Sequence, residues 1–401
     1  MVESDADRAF RADIRARLTA ALGTRVDDDA GPVQVFGAGS DDLTTGRRFL
    51  SSLSEVGLAT PGWPVEYGGI AATRRQLTIL DEELRDFEQA DLYPFGVAIG
   101  LVGPTLLEHG TVEQRDRWLR SIGNGSDVWC QLFSEPGAGS DLAALSTRAV
   151  RDGDTWRVDG QKVWSSRAHY AGWGLLLTRT DPSVPKHEGI TAFGLDMTTP
   201  GVDIRPMRQM NGDAHFSEVF LDGVEVPDEN RIGEVNGGWR VAVTVLAHER
   251  AGIGAGGATQ GGGGLRRRQV LAYLREMRAG DDPVARQRAV DVLARLDLQR
   301  YTGRRARDVA RAGKPGPEGS GAKIRMGDTM KLAADLALDL AGPHGLVEED
   351  EWQVLFLTSP SLSIRGGTDE IQRNIVGERV LGLPVEPRLD KGIPFNEIPR
   401  H

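Results

Sequence analysis

The stretch Leu246 to Gly257, "LAHERAGIGAGG", sets a carboxylate beside a guanidinium at Glu249-Arg250 and follows them with Gly252, Gly254 and Gly257. Two incompatible chemistries fit it. The spacing G-x-G-x-x-G can cradle a dinucleotide pyrophosphate when its first glycine directly follows a strand inside an alternating β/α unit. "VAVTVL" (241–246) could supply such a strand, and Glu276 lies near the expected downstream distance. Yet "AHER" intervenes, and no parallel β/α pattern surrounds it. Read as a helix, Val241, Val245 and Glu249 fall at i, i+4 and i+8, so the carboxylate continues an apolar face. Partial burial there would raise its pKa and suit it to general-base work. On spacing alone, a structural pair between Glu249 and an arginine is the plainer reading. The glycines after it leave room for a close backbone or a flat ligand.

Three further segments carry chemistry. "CQLFSEPGAGSDLAAL" (130–145) runs from a short apolar stretch into a glycine-containing loop. Its peptide N–H groups, with the Ser134 and Ser140 hydroxyls, could bind phosphate or ring carbonyls, or simply form a surface turn. "GQKVWSSRAHYAGW" (160–173) places Trp164 beside two hydroxyls at the end of a β-run, where a core aromatic is the plainer reading. "IRGGTDEIQRNIVGERVLGLP" (364–384) begins a helix after two glycines. Thr368 is a good N-cap there, and the free N–H groups of that first turn form either an anion site or an ordinary capped helix.

The elements that must position these residues fall in three blocks. The first 120 or so residues are predicted helical, with Phe10, Ile14 and Leu18 on one face and Leu77, Leu80, Leu84 and Phe87 on another. "GLATPGWPVEYGG" (57–69) reads as a structured connection between them. Near Val128 the pattern changes. "TRAVRDGDTWRVDGQKVW" (147–164) alternates apolar and polar residues about Asp152-Gly153, the sign of a hairpin, and "EVFLDGVEVP" (218–227) is predicted to fold about Asp222-Gly223. No strand is followed by a helix-length segment, so the sheet is expected to be mainly antiparallel. Helical periodicity returns at Gly238, with segments 283–312, 321–341 and 369–381 separated by "GGGG" (261–264) and "GKPGPEGSG" (313–321). The expected architecture is therefore α+β: helical residues 1–126, β-rich residues 127–236 and helical residues 237–401.

Composition narrows the function. The 401 residues are 39% hydrophobic and 26% charged, ordinary for a soluble globular chain. No apolar run reaches bilayer-spanning length, and "MVESDADRAF" is too acidic for a secretory leader. A net charge of −10 argues against a nucleic-acid surface, and the clusters "LRRR" (265–268) and "GRRARDVAR" (303–311) read as solvated helix faces. The lone Cys130 excludes an internal disulfide and fits a reducing cytoplasm. The seven histidines show no metal-binding spacing.

Taken together, "FSEPGAGSDL", "GQKVWSS" and "GGTDEIQRN", in this order and within this α–β–α arrangement, resemble the acyl-CoA dehydrogenase family over nearly the whole chain. The resemblance implies an N-terminal helical domain, a central β domain and a C-terminal four-helix bundle, with FAD between the last two. It implies that Gln131, Phe133 and Ser134 line the flavin ring and that Trp164 and Ser166 flank it. Gly139 and Ser140 match positions near the substrate and the cofactor phosphates. Thr368 and Glu370 match positions that meet the adenosine half of FAD. Leu338, Asp339 and Gly342 fall where a neighbouring subunit's FAD contacts lie, and Ser140, Arg250 and Gly367 match substrate-side positions. The implied partners are an acyl-CoA or acyl-carrier thioester, an electron-transfer flavoprotein as electron acceptor, and further subunits of a homodimer, homotetramer or heteromer.

Many members place the catalytic glutamate directly before the Gly-Thr of the C-terminal segment, where this chain has Gly366. A second branch carries it on the first bundle helix before an arginine. "AHER" is similar to that branch, which implies that Glu249 is the base. Glu249 would take the proton alpha to a thioester while the beta hydrogen leaves as hydride to the flavin, and hydrogen bonds to the thioester oxygen would stabilise the developing enolate. Many relatives also carry an Arg-x-x-Phe-Gly segment that binds FAD across a subunit interface. This chain has "GGGGLRRRQVLAYLREM" instead, leaving Arg286 or Arg288 as substitutes. Two other readings follow from that departure and from the scaffold: a non-catalytic subunit that completes a partner's FAD site, and a flavin monooxygenase or oxidase.

Overall fold

The computed structural model describes residues 3–23, 42–255, 265, 267–311, 318–347, 350–388 and 390–399. Capping chemistry sets the first helices. Ser4, Thr73 and Thr111 each form a reciprocal box, with Asp7, Gln76 and Gln114, at the starts of α1 (Asp5–Leu22), α3 (Arg74–Leu84) and α5 (Val112–Gly123). Helix α2 (Leu43–Glu55) lies between α1 and α3, and a π-helical turn, Ala98–Val102, runs into α4 (Gly103–His109). Ile14, Leu18, Leu80 and Phe87 are buried as their spacing predicts. Glu83 is buried on α3 because Arg11 and Arg15 of α1 meet it at 2.8 and 2.7 Å. The hydrogen bond from Arg15 leads the forces that hold its carboxyl down at about 2, against the opposing effect of burial. The "GLATPGWPVEYGG" connection seats the Trp63 ring against Gly103, where a Cβ would come within 2.2 Å of it.

The middle of the chain forms one sheet from β1 (Trp129–Leu132), β2 (Arg148–Asp152), β3 (Thr155–Ser166), β4 (Trp173–Arg179), β5 (Ile190–Asp196), β6 (Val202–Met207), β7 (Phe216–Pro227) and β8 (Arg231–Ile232). Its order is β6-β7-β3-β2-β4-β5-β8, with β1 added alongside β4. All pairs are antiparallel except β1–β4 and the short β2–β4 contact. The Asp152-Gly153 hairpin forms as expected. The fold-back at Asp222-Gly223 does not. Strand β7 runs straight through it, and the two residues form a bulge opposite Asp159, whose Oδ1 accepts the Gly223 N–H at 2.8 Å. Gly223 has φ +59°, which a bulge demands as readily as a tight turn does.

Helices resume with α6 (Gly238–Ala255), α7 (Arg267–Glu276), α8 (Pro283–Arg311), α9 (Glu318–Ala341), α10 (Glu351–Thr358) and α11 (Asp369–Arg379). The α+β expectation of helices, a mainly antiparallel sheet and helices again is met. Among the described residues, no helix is long and apolar enough to cross a membrane. Two cores result. Val270, Leu274, Val292, Met330, Ala334, Trp352 and Leu355 join α7 to α10. Val241, Ala242 and Val245 of α6 belong instead to the core shared by the N-terminal helices and the sheet.

Trp118 of α5 meets Trp129 and Trp173 of β1 and β4, each at 5.3 Å between ring centroids, and clamps the helices to the sheet. Trp118→Ala should cost about 3–5 kcal/mol through the cavity it leaves, and Trp118→Phe distinctly less. Denaturant unfolding measures both, and an unchanged midpoint for the alanine variant would contradict this clamp.

Candidate functional site

The loop that leaves β1 is fixed by a buried ion pair. Lys162 of β3 is fully buried and Glu135 nearly so, with Nζ at 2.8 Å from Oε1. The same ammonium donates to the Phe133 carbonyl at 3.1 Å, and the Val163 N–H donates to the Ser134 carbonyl at 2.9 Å. Glu135 also accepts from the Ser146 N–H (2.6 Å), the Ser146 hydroxyl (2.9 Å) and the Thr147 N–H (2.8 Å). One carboxylate thus joins both ends of the loop. Burial alone would raise its pKa, but the charge of Lys162 and these hydrogen bonds outweigh it and hold the carboxyl at about 2.

Neither residue stood out in the sequence. The usable signal was alternation, since Trp156, Val158 and Lys162 share the inward face of β3.

Directly after Lys162, the pairing of β3 with β7 gains one residue, and Trp164 occupies that bulge. It adopts φ +59° and is 57% exposed, its ring edge-on to Phe216 at 5.9 Å. A left-handed conformation at an aromatic residue costs about 1–3 kcal/mol. The core-aromatic reading of Trp164 is therefore excluded. Phe133 is buried, Gln131, Ser134 and Ser166 are half-buried, and Gly139 and Ser140 are exposed at the loop tip. A Cβ on Gly137 or Gly139 would meet nothing within 4 Å, so the backbone there is open to a ligand.

The third segment is held by a second buried pair. Asp369, the first residue of α11, meets Lys323 of α9 at 2.9 Å and accepts from the Ser363 hydroxyl at 2.7 Å. Thr368 caps the helix by accepting the Ile371 N–H at 3.2 Å. Gly366 and Gly367 precede it with φ +66° and +83°, so a carboxylate-bearing residue at 366 would be strained. Glu370 and Gly367 are exposed. Arg365 is close enough to Arg167 that their charges interact, and the Arg167 guanidinium lies 3.9 Å over the Tyr93 ring.

Helix α6 starts against the sheet. A Cβ on Gly238 would come within 2.7 Å of the Thr191 backbone, so only glycine permits this contact with β5. Val241, Ala242 and Val245 are buried, and Glu249 continues that face half-buried, roughly 16 Å along the helix from Gly238. Thr244, on the same helix, bonds His109 Nε2 at 2.9 Å. Gly252 and Gly254 lie inside α6, which removes the phosphate-loop reading of this stretch. Gly256, Gly257 and "GGGG" lie outside the described residues, as does the side chain of Arg250.

Leu338, Asp339 and Gly342 stand together at the C-terminal end of α9, apart from these groups. Leu338 packs on the second core, and Gly342 has φ +57°. Asp339 meets Arg288 at 2.5 Å, and Arg288 reaches Asp335 as well, at 3.0 Å. The arginine considered as a substitute for the missing segment is thus held by a residue of the same candidate group.

A flavin fits the first group: a strained, exposed indole beside hydroxyls and an amide, next to an unobstructed glycine loop. This set offers hydrogen bonds to ring carbonyls and nitrogens and no cluster of metal ligands among the described residues. Lys162→Met should lower stability by about 3–5 kcal/mol by stranding the Glu135 charge, and adding Glu135→Leu should recover much of it. Because the folded carboxyl sits at about 2 rather than its ordinary 4.5, its contribution is complete above 4.5 and disappears as pH falls toward 2. Urea unfolding of wild type and Glu135→Gln at several acidic pH values should show their difference shrinking across that window.

Comparison with known proteins follows the same three blocks. Residues 35–126, 130–224 and 236–381 match the models described as acyl-CoA dehydrogenase N-terminal, middle and C-terminal domains. The chain is 44% identical over 341 residues to acyl-CoA dehydrogenase FadE34 of Mycobacterium tuberculosis, covering 83% of this chain and 46% of that protein. It therefore spans about half the length of that relative. It is 36% identical to acyl-CoA dehydrogenase IpdE1 of Mycolicibacterium smegmatis, covering 94% of this chain and 98% of that one. A solved structure described as "Tcur3481-Tcur3483 steroid ACAD" superposes with a TM-score of 0.77 at 29% identity, covering 96% and 99% of the two chains. With three family models matched in order and IpdE1 covered over 98% of its length, the chain belongs to the acyl-CoA dehydrogenase family.

Proposed function

We propose that the chain is an FAD-dependent dehydrogenase that converts an acyl-CoA to the trans-2-enoyl thioester, with Glu249 as its base. The observation that carries this reading is the half-buried carboxylate of Glu249 on the face of α6 that Val241 and Val245 bury. A carboxylate at such a boundary can face both the protein interior and an entering substrate, the placement a general base needs. Glu249 would remove the proton alpha to the thioester, and a peptide N–H aimed at the thioester oxygen would stabilise the enolate that develops. Bound FAD would supply the acceptor for the beta hydrogen. Gln131, Phe133, Ser134, Trp164 and Ser166 would hold its ring, and Thr368 and Glu370 its adenosine half. Gly139 and Ser140 would serve the phosphates and substrate, with Arg250 and Gly367 on the substrate side. Leu338, Asp339 and Gly342 would reach the FAD of a neighbouring subunit.

The relatives lend support to finer features of this reading. The solved neighbour is described as acting on steroids and carries two polypeptide names. A bulky, ring-containing acyl group is the proposed substrate, favoured by the side-chain-free positions 252 and 254 just beyond Glu249. A homo- or heteromeric assembly, an electron-transfer flavoprotein as acceptor and a cytoplasmic setting complete the proposal. The absence of an Arg-x-x-Phe-Gly segment, with "GGGGLRRRQVLAYLREM" in its place, favours a second reading, a subunit that completes a partner's cofactor site.

Purification of the chain alone separates the two. A yellow protein bleached anaerobically by acyl-CoA supports the dehydrogenase, and a colourless one supports the partner subunit. Glu249→Gln should keep the flavin absorbance while slowing its reduction by substrate by a factor of about 100 to 10,000. Reduction at the wild-type rate would remove Glu249 from the base role.

A further inference from the structure

The last residues of the chain return to the sheet and cover the loop between β4 and β5. The Phe395 N–H donates to the Val184 carbonyl at 2.9 Å and the Asn396 N–H to the Pro182 carbonyl at 3.0 Å, while Pro394 pairs with Pro185. Phe395 is buried, and its ring lies 4.0 Å beneath the guanidinium of Arg179. That guanidinium is itself buried and donates to the carbonyls of Ala143 (2.6 Å), Leu145 (3.3 Å) and Lys186 (2.6 Å). Two of those three acceptors belong to the loop that Glu135 closes. Burial lowers the Arg179 pKa to about 10, so the group stays charged at neutral pH.

A second connection runs in parallel. Lys186 reaches Asp141, at the tip of the same loop, at 2.6 Å, and also pairs with Asp390 of the returning segment. The Lys186 side chain is only 13% exposed, so this is a partly desolvated ammonium shared by two carboxylates rather than a surface pair. Its neighbour His187 packs edge-on against Trp239, the second residue of α6, at 4.8 Å. One strap therefore touches the supports of both the loop and the helix that carries Glu249.

We propose that the C-terminal strap, residues 390–398, is a positioning element that holds the loop from Glu135 to Ser146 in its ligand-ready shape through Arg179 and Lys186. Phe395 shields Arg179 from water, which strengthens its grip on the loop carbonyls. Asp390 fixes the ammonium that restrains Asp141. The link to cofactor binding rests on the proposed role of this loop, whereas the effect on loop order does not.

The test uses the full chain carrying Phe395→Ala, Asp390→Asn, Lys186→Met or Lys186→Arg. Amide hydrogen exchange is followed in peptides covering 135–146 and, as a control, 318–341 of α9. FAD affinity is measured by titrating flavin-free protein. Phe395→Ala and Lys186→Met should raise exchange in the loop by about tenfold with α9 unchanged, Asp390→Asn should raise it less, and Lys186→Arg should restore it. FAD should bind about tenfold more weakly in the two stronger variants. Unchanged exchange at 135–146, or a uniform rise that includes α9, would overturn the strap. If Phe395→Ala does not fold, Asp390→Asn and the lysine pair still decide it. A looser loop with unaltered FAD affinity would uphold the strap and instead sink the cofactor role of the loop.

Discussion

A lysine and a glutamate out of contact with water can coexist only as a pair. Either charge alone would cost several kcal/mol, so Lys162 and Glu135 are committed to one another wherever the sheet is formed. That commitment sets geometry well beyond the pair. The ammonium holds the exit of β1 through the Phe133 carbonyl, and the carboxylate holds the return of the loop through Ser146 and Thr147. The bulge that follows is connected with it. Lys162 and Ser165 are both fully buried although three residues apart, so simple alternation cannot put both inward. One extra residue resolves the conflict, and Trp164 is the residue turned out.

The Lys323–Asp369 pair repeats this logic at α11, with an added helical term. Asp369 stands in the first turn, where the exposed N–H groups favour a negative charge. Its neighbour Thr368 already accepts a backbone hydrogen bond, so its hydroxyl keeps its proton to donate elsewhere. The Arg288–Asp339 contact differs in kind. Both side chains are substantially exposed, at 38% and 61%, and solvent screens most of such an attraction. A contact of that kind can be given up to another ligand at little cost, and the two buried pairs cannot.

Local signals in the sequence carried most of the architecture. Helical phase marked the buried faces of α1 and α3 and placed Glu249 on the inward face of α6. The Asp152-Gly153 hairpin was equally readable. Asp222-Gly223 misled because turn and bulge make the same demand on φ, and only the length of β3 opposite distinguishes them. Lys162 and Glu135 lie 27 residues apart, and no spacing rule links charges across strands. Phe395 belongs to no periodic element, so its burial was invisible until the strap was seen to cross the β4–β5 loop. Trp164 was ambiguous for a related reason. An aromatic at the end of a strand is ordinarily buried, and the bulge that exposes it depends on β7.

The position of the proposed base follows from what each backbone can carry. At 366 and 367 two consecutive left-handed residues lead into α11, and Gln372 binds the Gly366 carbonyl at 3.0 Å. Glycine suits that conformation, and a side chain there would add strain of about 1–2 kcal/mol. Helix α6 offers a better platform. It begins in contact with β5 at Gly238, and its apolar face lies in the core of the sheet and the N-terminal helices rather than in that of α7 to α10. A carboxylate on that face moves with the sheet that carries Lys162, Trp164 and the anchored loop. On the proposed reading, the apolar face of α6 ties the base to the unit that carries the flavin-contacting residues, and α6 also packs on α9, which links that unit to the remaining C-terminal helices. A glutamate on the α11 approach would instead reach the sheet only indirectly, through the Lys323–Asp369 pair and α9.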